Sequence, residues 1–287
     1  MQITAYSKAL YSNWIYLENL RVLLDVGEGI NNVLEGRLLG VHDLFISHGH
    51  TDHFTGLHSM LGIRIREAVK GEQQVSPLRI HYPARSPSLD LYLEYLSKSI
   101  YIWDQIVELV PLEAGDKVTL RDFPAIEVTA LEVCHNPREL CLGFRFSQKR
   151  WKLKPEVLAL PPEEMRDIVR TKPREEHSEV VEFPLITYSG DGLPLEDEGS
   201  QGVELLLHEA TFLDPDTSRV HSRLSEAIER FRALEARSLM LWHLSTRYTH
   251  DEIQEALNAL TTEEERKQIT VVFPGKVTAV TLPVSGV

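Results

Sequence analysis

The sequence has few of the features that mark disulfide-held, secreted or membrane-spanning proteins. Only two of its 287 residues are cysteines, which is too few for a disulfide-held fold and fits a reducing compartment with both thiols free. No stretch approaches the roughly 18 unbroken apolar residues that a membrane helix needs. The first twenty residues also lack the pattern of a secretory signal peptide. We therefore expect a cytoplasmic protein with no membrane part.

Positive charge is scarce as well. Lysine and arginine number 30 against 43 aspartate and glutamate residues, which makes the formal net charge −13. Nucleic-acid affinity depends largely on basic side chains that neutralise phosphates, so this balance argues against a general polyanion binder. It does not exclude a local basic patch.

The remaining composition is that of a packed globular protein, with 43% hydrophobic and 25% charged residues. Short apolar runs alternate with helix-like runs along almost the whole chain. This alternation predicts a layered α/β sandwich in one domain, residues 1–287. Strands are predicted at 13–18, 21–26, 43–47, 78–82, 125–133, 142–146, 184–189, 203–208, 238–243 and 269–273, and helices at 52–69, 87–98, 221–235 and 249–260.

One segment interrupts the alternation. Residues 148–182 are dense in Lys, Arg, Glu and Pro and have the least ordered pattern in the chain. We predict that they form a charged insertion or arm.

A dense group of metal-ligand residue types follows one predicted strand. The stretch FISHGHTDHFTG (45–56) contains His48, His50, Asp52 and His53. Alternate residues of an extended chain point to the same side, so the first two histidines can converge just past the strand, while Asp52 and His53 open the next helix. Imidazole and carboxylate groups suit Zn²⁺, Mn²⁺ or Fe. The spacing predicts a metal site at this turn.

Three later residues occupy similar positions. His135 and His243 stand at the ends of apolar runs, and Asp191 lies in the glycine turn YSGDG. Each is ambiguous alone, because a core histidine or a solvated turn aspartate has the same sequence context.

Together these motifs resemble the metallo-β-lactamase superfamily. The stretch HGHTDH is similar to its metal-binding signature, and LLDVGEG (23–29) looks like the strand and glycine turn that precede it. The resemblance implies a four-layer αββα sandwich, with two mixed sheets flanked by helices and a dinuclear metal site at the sheet edge. It also implies that one metal takes His48, His50, His135 and Asp191, and the other takes Asp52, His53, His243 and the bridging Asp191.

Three downstream motifs are similar to those of the ribonuclease Z family of transfer-RNA 3′-processing enzymes. They are LLLHEATF (205–212), VHSRLSEA (220–227) and LWHLSTRY (241–248), in the family's order, and the resemblance covers roughly residues 20–275. Thr51 stands where the family commonly has glycine, and GDG replaces the more usual GDT. Neither change touches a predicted ligand.

This resemblance implies a dinuclear-metal phosphodiesterase that cuts transfer-RNA precursors after the discriminator base. Two cations can clamp the attacking and leaving oxygens of an in-line displacement at phosphorus. Zn²⁺ is the first choice, and the ligand set also permits Mn²⁺ or Fe. Asp52 would orient or deprotonate the attacking water, His221 would protonate the departing oxygen, and Glu209 would hold the His221 ring.

Basic and aromatic residues are the candidate substrate contacts. In the predicted arm a basic cluster surrounds Trp151 and could contact transfer-RNA phosphates while the ring stacks on a base, although a solvated charged segment would have the same sequence. The segment 148–182 lacks the glycine-rich tip of the family's arm. The candidates are Arg247 and Tyr248, which could equally pack, and Lys149, Arg150 and Lys152.

Two other functions stay open. The acidic composition and the altered arm favour a small phosphodiester or another ester as substrate. A redox or structural di-metal protein on the same fold is less favoured, because redox relatives typically replace a histidine of the first motif with a carboxylate, and His50 is intact. The family resemblance also suggests a homodimer in which the arm of one subunit serves the site of the other.

Overall fold

The computed structural model describes residues 1–71 and 75–284, and fourteen strands of these ranges form two sheets of seven. The strands of the first sheet are β1 Gln2–Lys8, β2 Ser12–Leu17, β3 Val22–Leu24, β4 Asp43–Phe45, β5 Leu78–Pro83, β6 Val107–Leu112 and β14 Val277–Thr281. Those of the second are β7 Lys117–Thr119, β8 Ile126–Glu132, β9 Leu142–Leu153, β10 Ser178–Tyr188, β11 Leu205–Glu209, β12 Leu239–Trp242 and β13 Ile269–Val271.

Helices occupy the connections between these strands. They are α1 Asn31–Leu34, α2 Thr51–Phe54, α3 Leu57–Lys70, α4 Pro87–Ser99, α5 Trp103–Ile106, α6 Pro155–Leu158, α7 Pro162–Thr171, α8 Arg174–His177, α9 Leu224–Ala233, α10 His250–Leu260 and α11 Glu263–Arg266, with short 3₁₀ turns at Glu18–Leu20, Glu35–Gly40 and Glu198–Ser200. Among the helices of the described residues, none has the length and apolar character that crossing a bilayer requires.

Both sheets are mixed. In the first, β14, β1, β2 and β3 pair antiparallel, and β3, β4, β5 and β6 pair parallel. In the second, β7, β8, β9 and β10 pair antiparallel, and β10, β11, β12 and β13 pair parallel. Two successive antiparallel pairings make β8 run in the direction of β10. The carboxyl ends of β8, β10, β11 and β12 therefore meet at one edge.

The alternation of side chains along the strands builds four layers. Phe45 of β4 points between the sheets, where its ring lies 5.1 Å from that of Phe144 and 5.5 Å from that of Phe146. Its neighbour Leu44 points the other way and packs with the apolar side chains of α3 and α4. In β12, Trp242 belongs to the core between the sheets, whereas the preceding Leu241 packs under α9 and α10. Period-two alternation with both faces buried yields the αββα sandwich, and this fold prediction is confirmed.

The predicted elements are present with shifted ends, and the differences have physical causes. Four strands were missed, β1, β6, β7 and β14. Three of these, β6, β7 and β14, are edge strands that bury few residues or none, so they lack a strong apolar run. The helix predicted at 52–69 is split into α2 and α3. Gly56 stands at the break, where a Cβ atom would lie 2.2 Å from the carbonyl oxygen of Gly27. Close backbone packing therefore interrupts the helix.

The expectation that residues 148–182 are poorly ordered is wrong. The strands β9 and β10 continue into this segment as an antiparallel pair, in register from Ser178 opposite Leu153 onward. The helices α6, α7 and α8 connect the two strands at the far end. The charge-rich composition reflects exposure of this two-stranded extension. Its backbone hydrogen bonds are satisfied by strand pairing, which needs no buried face.

Candidate metal centre

The seven predicted metal ligands converge at the edge where the strand ends of both sheets meet. Each comes from a segment that leaves a strand: His48 and His50 follow β4, Asp52 and His53 lie in α2, His135 follows β8, Asp191 follows β10 and His243 follows β12. Residues up to 195 positions apart in the chain thus come together, since β8, β10 and β12 end at the same edge.

Asp191 lies at the centre of this cluster. Its Oδ2 atom is 3.2 Å from Nε2 of His53, 3.0 Å from Nε2 of His243 and 3.9 Å from Nε2 of His48. The Oδ2 atom of Asp52 is 3.5 Å from His53 Nε2 and 3.7 Å from His243 Nε2. A carboxylate surrounded by three imidazoles, with a second carboxylate beside two of them, is an arrangement that can bind a divalent cation.

Ligand atoms lie within 4.8 Å of one another in several groups of three. Two of the groups correspond to the two predicted metal positions. The first combines His48, His50 and His135, and the second combines Asp52, His53 and His243. Asp191 joins His48 and His53 in a further group, so it borders both positions.

Oxygen acceptors fix the orientation of His48 and His53. Ser47 Oγ donates to Asp25 Oδ2 at 2.9 Å, so its remaining role is to accept the Nδ1 proton of His48, also at 2.9 Å. Asp25 Oδ2 accepts the Nδ1 proton of His53 at 2.7 Å and a hydrogen bond from the Tyr188 hydroxyl at 2.5 Å. Both rings therefore turn their Nε2 atoms toward the cluster.

The other two anchored histidines are held in the same way. Nδ1 of His135 donates to the carbonyl oxygen of Val220 at 2.8 Å. Thr211 Oγ1 donates to Glu209 Oε2 at 2.7 Å and accepts from Nδ1 of His243 at 2.8 Å. Metal-binding histidines typically donate their second ring proton to such an acceptor. His208, which is not among the predicted ligands, also donates from Nδ1 to a carbonyl oxygen, so it is the convergence of several such rings that marks this cluster.

The buried atoms at the centre fit a cation better than they fit one another. In the described part of the chain, His48 Nε2, His243 Nε2 and Asp191 Oδ1 are buried without an aligned hydrogen bond. His243 Nε2 and Asp191 Oδ2 are only 3.0 Å apart, yet both present lone pairs when Nδ1 carries the imidazole proton. Unsatisfied buried polar atoms cost free energy, and a divalent cation would satisfy all three.

The ionisation of the two carboxylates suits this role. Burial raises the pKa of Asp191, but the charges of His243 and His53 outweigh it and hold that pKa well below its usual value. Burial likewise raises the pKa of Asp52, while the nearby imidazoles of His243 and His53 bring it to about 2. Burial, and then the charge of His53, lowers the pKa of His48 well below its ordinary value. The pKa of His53 is shifted the other way: burial lowers it, but the charges and hydrogen bonds of Asp191 and Asp25 outweigh burial and raise it well above its ordinary value. A cation bound here would therefore displace a proton from this imidazole, because metal ligands must be deprotonated.

His221 is held at the rim of the cluster by Glu209. The fully buried Glu209 carboxylate accepts from Nδ1 of His221 at 2.9 Å, from the backbone N–H groups of Gly192, Thr211 and Ser222, and from the Thr211 hydroxyl. The His221 ring lies 4.7 Å from that of His135. Burial lowers the pKa of His221, but the hydrogen bond and charge of Glu209 outweigh it, so the pKa is raised. An oriented imidazole with a raised pKa can donate a proton.

Sequence reasoning missed several residues that orient this site. Asn13 is buried and donates from Nδ2 to Asp52 Oδ2 at 2.8 Å, and the backbone N–H of Leu10 donates to the same oxygen at 3.0 Å. Asp25 anchors His53. Its stretch LLDVGEG was noted only for its glycines, although an aspartate at the end of a buried strand is an available signal. Nothing in the sequence singles out Asn13.

The predicted substrate contacts lie outside the cluster. Arg247 and Tyr248 both contact Asp216, the former at 3.4 Å, and Arg247 also lies over the Phe212 ring. In the arm, Lys149 donates to Glu127 Oε2 at 2.7 Å. The guanidinium of Arg150 lies over the Phe183 ring and that of Arg174 over the Trp151 ring, while Lys152 is an exposed residue of β9. These roles stay predictions.

Two cavities border the cluster at different ends. One of about 800 Å³ touches Asp52 and is lined by the exposed Leu10 and Tyr11. The other, of about 760 Å³, touches His135 and is lined by arginine side chains. The cluster is therefore accessible from two sides.

Comparison with known proteins finds relatives over most of the chain. The ribonuclease Z of Pyrococcus horikoshii is 31% identical over 255 residues, which cover 82% of this chain and 80% of that protein. The structure of human tRNase Z, short form, matches with a TM-score of 0.62 at 19% identity, covering 99% of this chain and 100% of that one. The metallo-β-lactamase fold protein YhfI from Bacillus subtilis matches with a TM-score of 0.61 at 16% identity, covering 96% and 99%. No protein-family model matches the sequence.

Proposed function

This chain belongs to the ribonuclease Z family, and from that premise we propose that it is a metal-dependent endoribonuclease that processes the 3′ ends of transfer-RNA precursors. The single observation that carries the proposal is the joint arrangement of Asp191, its surrounding histidines and the Glu209–His221 pair at one sheet edge. Together these residues supply cation ligands and a proton donor, which hydrolysis of a phosphodiester requires.

We propose that His48, His50, His135 and Asp191 hold one divalent cation, and that Asp52, His53, His243 and Asp191 hold the other. When bound, the pair lowers the pKa of water and neutralises charge on the phosphate oxygens. Zinc is the preferred metal, because its borderline character suits imidazole-rich sites, while Mn²⁺ and Fe remain compatible with the donors. A divalent cation of some kind is implied by the family.

Two side chains would move protons in the reaction. Asp52, which Asn13 and the Leu10 N–H hold by one oxygen, would orient the attacking water and accept its proton through the other. His221, whose Nδ1 is fixed by Glu209, would donate from Nε2 to the departing sugar oxygen. Glu209 touches no reacting atom in this scheme, so it is a positioning residue that keeps His221 in the right tautomer and orientation.

The arm is the proposed distal contact with transfer RNA. Lys152 and the partly paired Lys149 and Arg150 lie on a two-stranded extension that reaches away from the sandwich, where a folded RNA could be reached beyond the acceptor stem. Arg247 and Tyr248 are proposed as nearer phosphate contacts. We further propose a cytoplasmic protein and a homodimer with an exchanged arm, both from the sequence alone.

A small phosphodiester is the second candidate substrate. The net charge of −13 and the pairing of Lys149 with Glu127 favour it, because both weaken attraction to a large polyanion. The metal cluster and His221 would serve either substrate.

The test presents zinc-loaded protein with a 3′-extended transfer-RNA precursor and, separately, with bis(p-nitrophenyl) phosphate. Precise removal of the 3′ extension, leaving the discriminator base as the last nucleotide, is the expected result. Hydrolysis of the small ester without cleavage of the precursor would replace the first proposal by the second. Cleavage of neither substrate with two metals bound per chain would contradict both.

A further inference from the structure

A basic cavity opens at the His135 end of the metal cluster. Its volume is about 760 Å³, and its lining combines His135 with three arginines, Arg85, Arg138 and Arg219. The cavity on the other side, beside Asp52, has no arginine or lysine among its lining residues in the described ranges. Positive charge is thus concentrated on one side of the cluster in a chain that is acidic as a whole.

The charges of Arg138 and Arg219 are not neutralised within the protein. Both residues are exposed, and among the residues that the structure describes neither guanidinium takes part in an ion pair or a hydrogen bond. Arg85 differs, because its guanidinium lies 3.1 Å from the carboxylate of Glu113. Most other arginines near the sandwich surface are paired in the same way, as Arg121 with Glu108 and Arg237 with Glu204.

The acidic residues of the cavity do not cancel these two charges. Glu139 accepts from Asn136 Nδ2 at 2.7 Å and from Ser86 Oγ at 2.5 Å. Its Oε2 lies behind Gly49, where a Cβ atom would be only 2.4 Å away, so this carboxylate supports the turn between His48 and His50. Glu132, the other acidic residue of the lining, makes no ion pair with either arginine in the described residues.

The backbone connects both arginines directly to the predicted reaction centre. Arg138 follows His135 by three residues, and Arg219 precedes Val220, whose carbonyl oxygen holds His135 Nδ1, and His221, the proposed proton donor. The backbone of each arginine is therefore held close to the metal cluster. Guanidinium groups bind phosphate oxygens through two parallel hydrogen bonds, which makes arginine suited to a phosphate adjacent to a reacting one.

We propose that Arg138 and Arg219 form a phosphate subsite that binds a backbone phosphate of the RNA next to the one being cleaved. The inference rests on the proposed function. It extends that function by placing the RNA next to the cleaved phosphate on the His135 side of the metal cluster. The subsite draws the polyanion to the cleft of an otherwise acidic protein, since a local positive patch concentrates substrate where it is needed.

The test compares a substrate that has flanking phosphates with one that has none. The double variant Arg138→Ala/Arg219→Ala and the wild type are assayed on a 3′-extended acceptor-stem RNA and on bis(p-nitrophenyl) phosphate. We expect the ratio of kcat/KM for RNA to that for the small ester to fall at least about tenfold, as the loss of charge-assisted hydrogen bonds implies. The salt dependence of kcat/KM for RNA should weaken by a slope of about 0.7 per lost phosphate contact.

A lysine variant separates the two-pronged geometry of arginine from its charge, and a further variant serves as a control. Arg138→Lys/Arg219→Lys should keep the wild-type salt slope and recover only part of the lost ratio, because lysine retains the charge without the bidentate fork. The matched control is Arg237→Ala, which removes one exposed arginine at the amino end of β12, the opposite edge of the sheet from His243. It should leave the ratio and the slope unchanged.

Binding is read separately from cleavage, as inhibition of bis(p-nitrophenyl) phosphate hydrolysis by the same RNA. A rise of at least about tenfold in the inhibition constant of the double variant supports the subsite. This holds even if the wild type never cleaves the RNA, because absence of cleavage would count against the proposed function alone. Equal inhibition constants for wild type and double variant, or no inhibition of the wild type, would overturn the subsite. A wild type that hydrolyses neither the RNA nor the small ester would contradict the phosphodiesterase chemistry on which the inference rests.

Discussion

The sheet-edge cluster and the arm both carry charged side chains chosen from the sequence as functional, but the fold holds them very differently. In the cluster the ligands are almost all buried, and Asp25, Thr211, Asn13 and Glu209 fix their orientation through hydrogen bonds. In the arm the basic side chains are exposed, and their contacts are single surface pairs such as Lys149 with Glu127, at 2.7 Å.

The difference shows which of the two regions is held in a fixed arrangement at a cost in free energy. Burying carboxylates and imidazoles is unfavourable unless each is paired, so a preformed cluster persists only because the surrounding residues or a cation compensate it. An exposed lysine costs little and contributes little, since solvent and salt screen it. Substitutions in the two regions should therefore differ by orders of magnitude.

The largest effect is expected from Asp191→Ala. This change removes the carboxylate that lies within 4 Å of His48, His53 and His243. Metal content should fall toward zero by elemental analysis, and turnover of bis(p-nitrophenyl) phosphate should fall by about 10³-fold or more, because activation of water and charge stabilisation are lost together. A variant that keeps both metals would show that the bridging role is misassigned.

His221→Ala is expected to separate chemistry from metal binding. The metal content should match that of the wild type, since His221 is not a proposed ligand, while kcat on the precursor should fall about 10²- to 10⁴-fold through loss of the proton donor. Elemental analysis and single-turnover cleavage on the same preparation measure both quantities. Near-normal turnover would remove this residue as the acid.

Asp25→Asn should have an intermediate effect, chiefly through the His53 ring and also through Ser47, which orients His48. The amide is isosteric, but it accepts the His53 Nδ1 proton less strongly than the carboxylate, so metal affinity should weaken about 10- to 100-fold. Competition with a chromogenic chelator measures the affinity. The matched control, Asp167→Asn on α7 of the arm, removes an exposed carboxylate that pairs with Arg170 and should leave the affinity at the wild-type value; equal losses in the two variants would argue against a positioning role.

The smallest effect is expected in the arm itself. Lys152→Ala should raise KM for precursor transfer RNA about threefold, in keeping with one exposed charge contact, and should not alter hydrolysis of the small ester. Lys149→Ala should have less effect still, because Glu127 already neutralises that lysine. Steady-state kinetics at low salt provide the measurement, and a loss of a hundredfold or more for either variant would contradict the contrast between the two regions.

The first four candidate ligands could be chosen from the sequence because their signal is local. His48, His50, Asp52 and His53 follow one strand within six positions, and the strand-to-helix turn brings them together without help from distant residues. The αββα architecture was predictable for a similar reason, since alternating apolar runs and helical runs follow from short-range periodicity. Edge strands such as β14 were missed because they bury few residues and therefore carry little apolar signal.

The supporting residues were less predictable because their roles depend on contacts across the fold. Asn13 reaches Asp52 from a different strand, and Thr211 connects Glu209 with His243 through one hydroxyl. The regular secondary structure of the arm was also missed. Pairing of β9 with β10 satisfies the backbone hydrogen bonds of a segment whose composition resembles that of a disordered chain.

By itself, the amino-acid sequence determined which side chains this protein has available for chemistry and which strands and helices carry them, because ligand types and apolar periodicity are properties of short segments. Only the tertiary structure decided that β8, β10 and β12 end at one edge, that Asp191 stands among histidines from three separate segments, and that Arg138 and Arg219 are left unpaired beside them. These are relations between parts of the chain far apart in sequence. Sheet pairing and core packing set them, and no single segment encodes them.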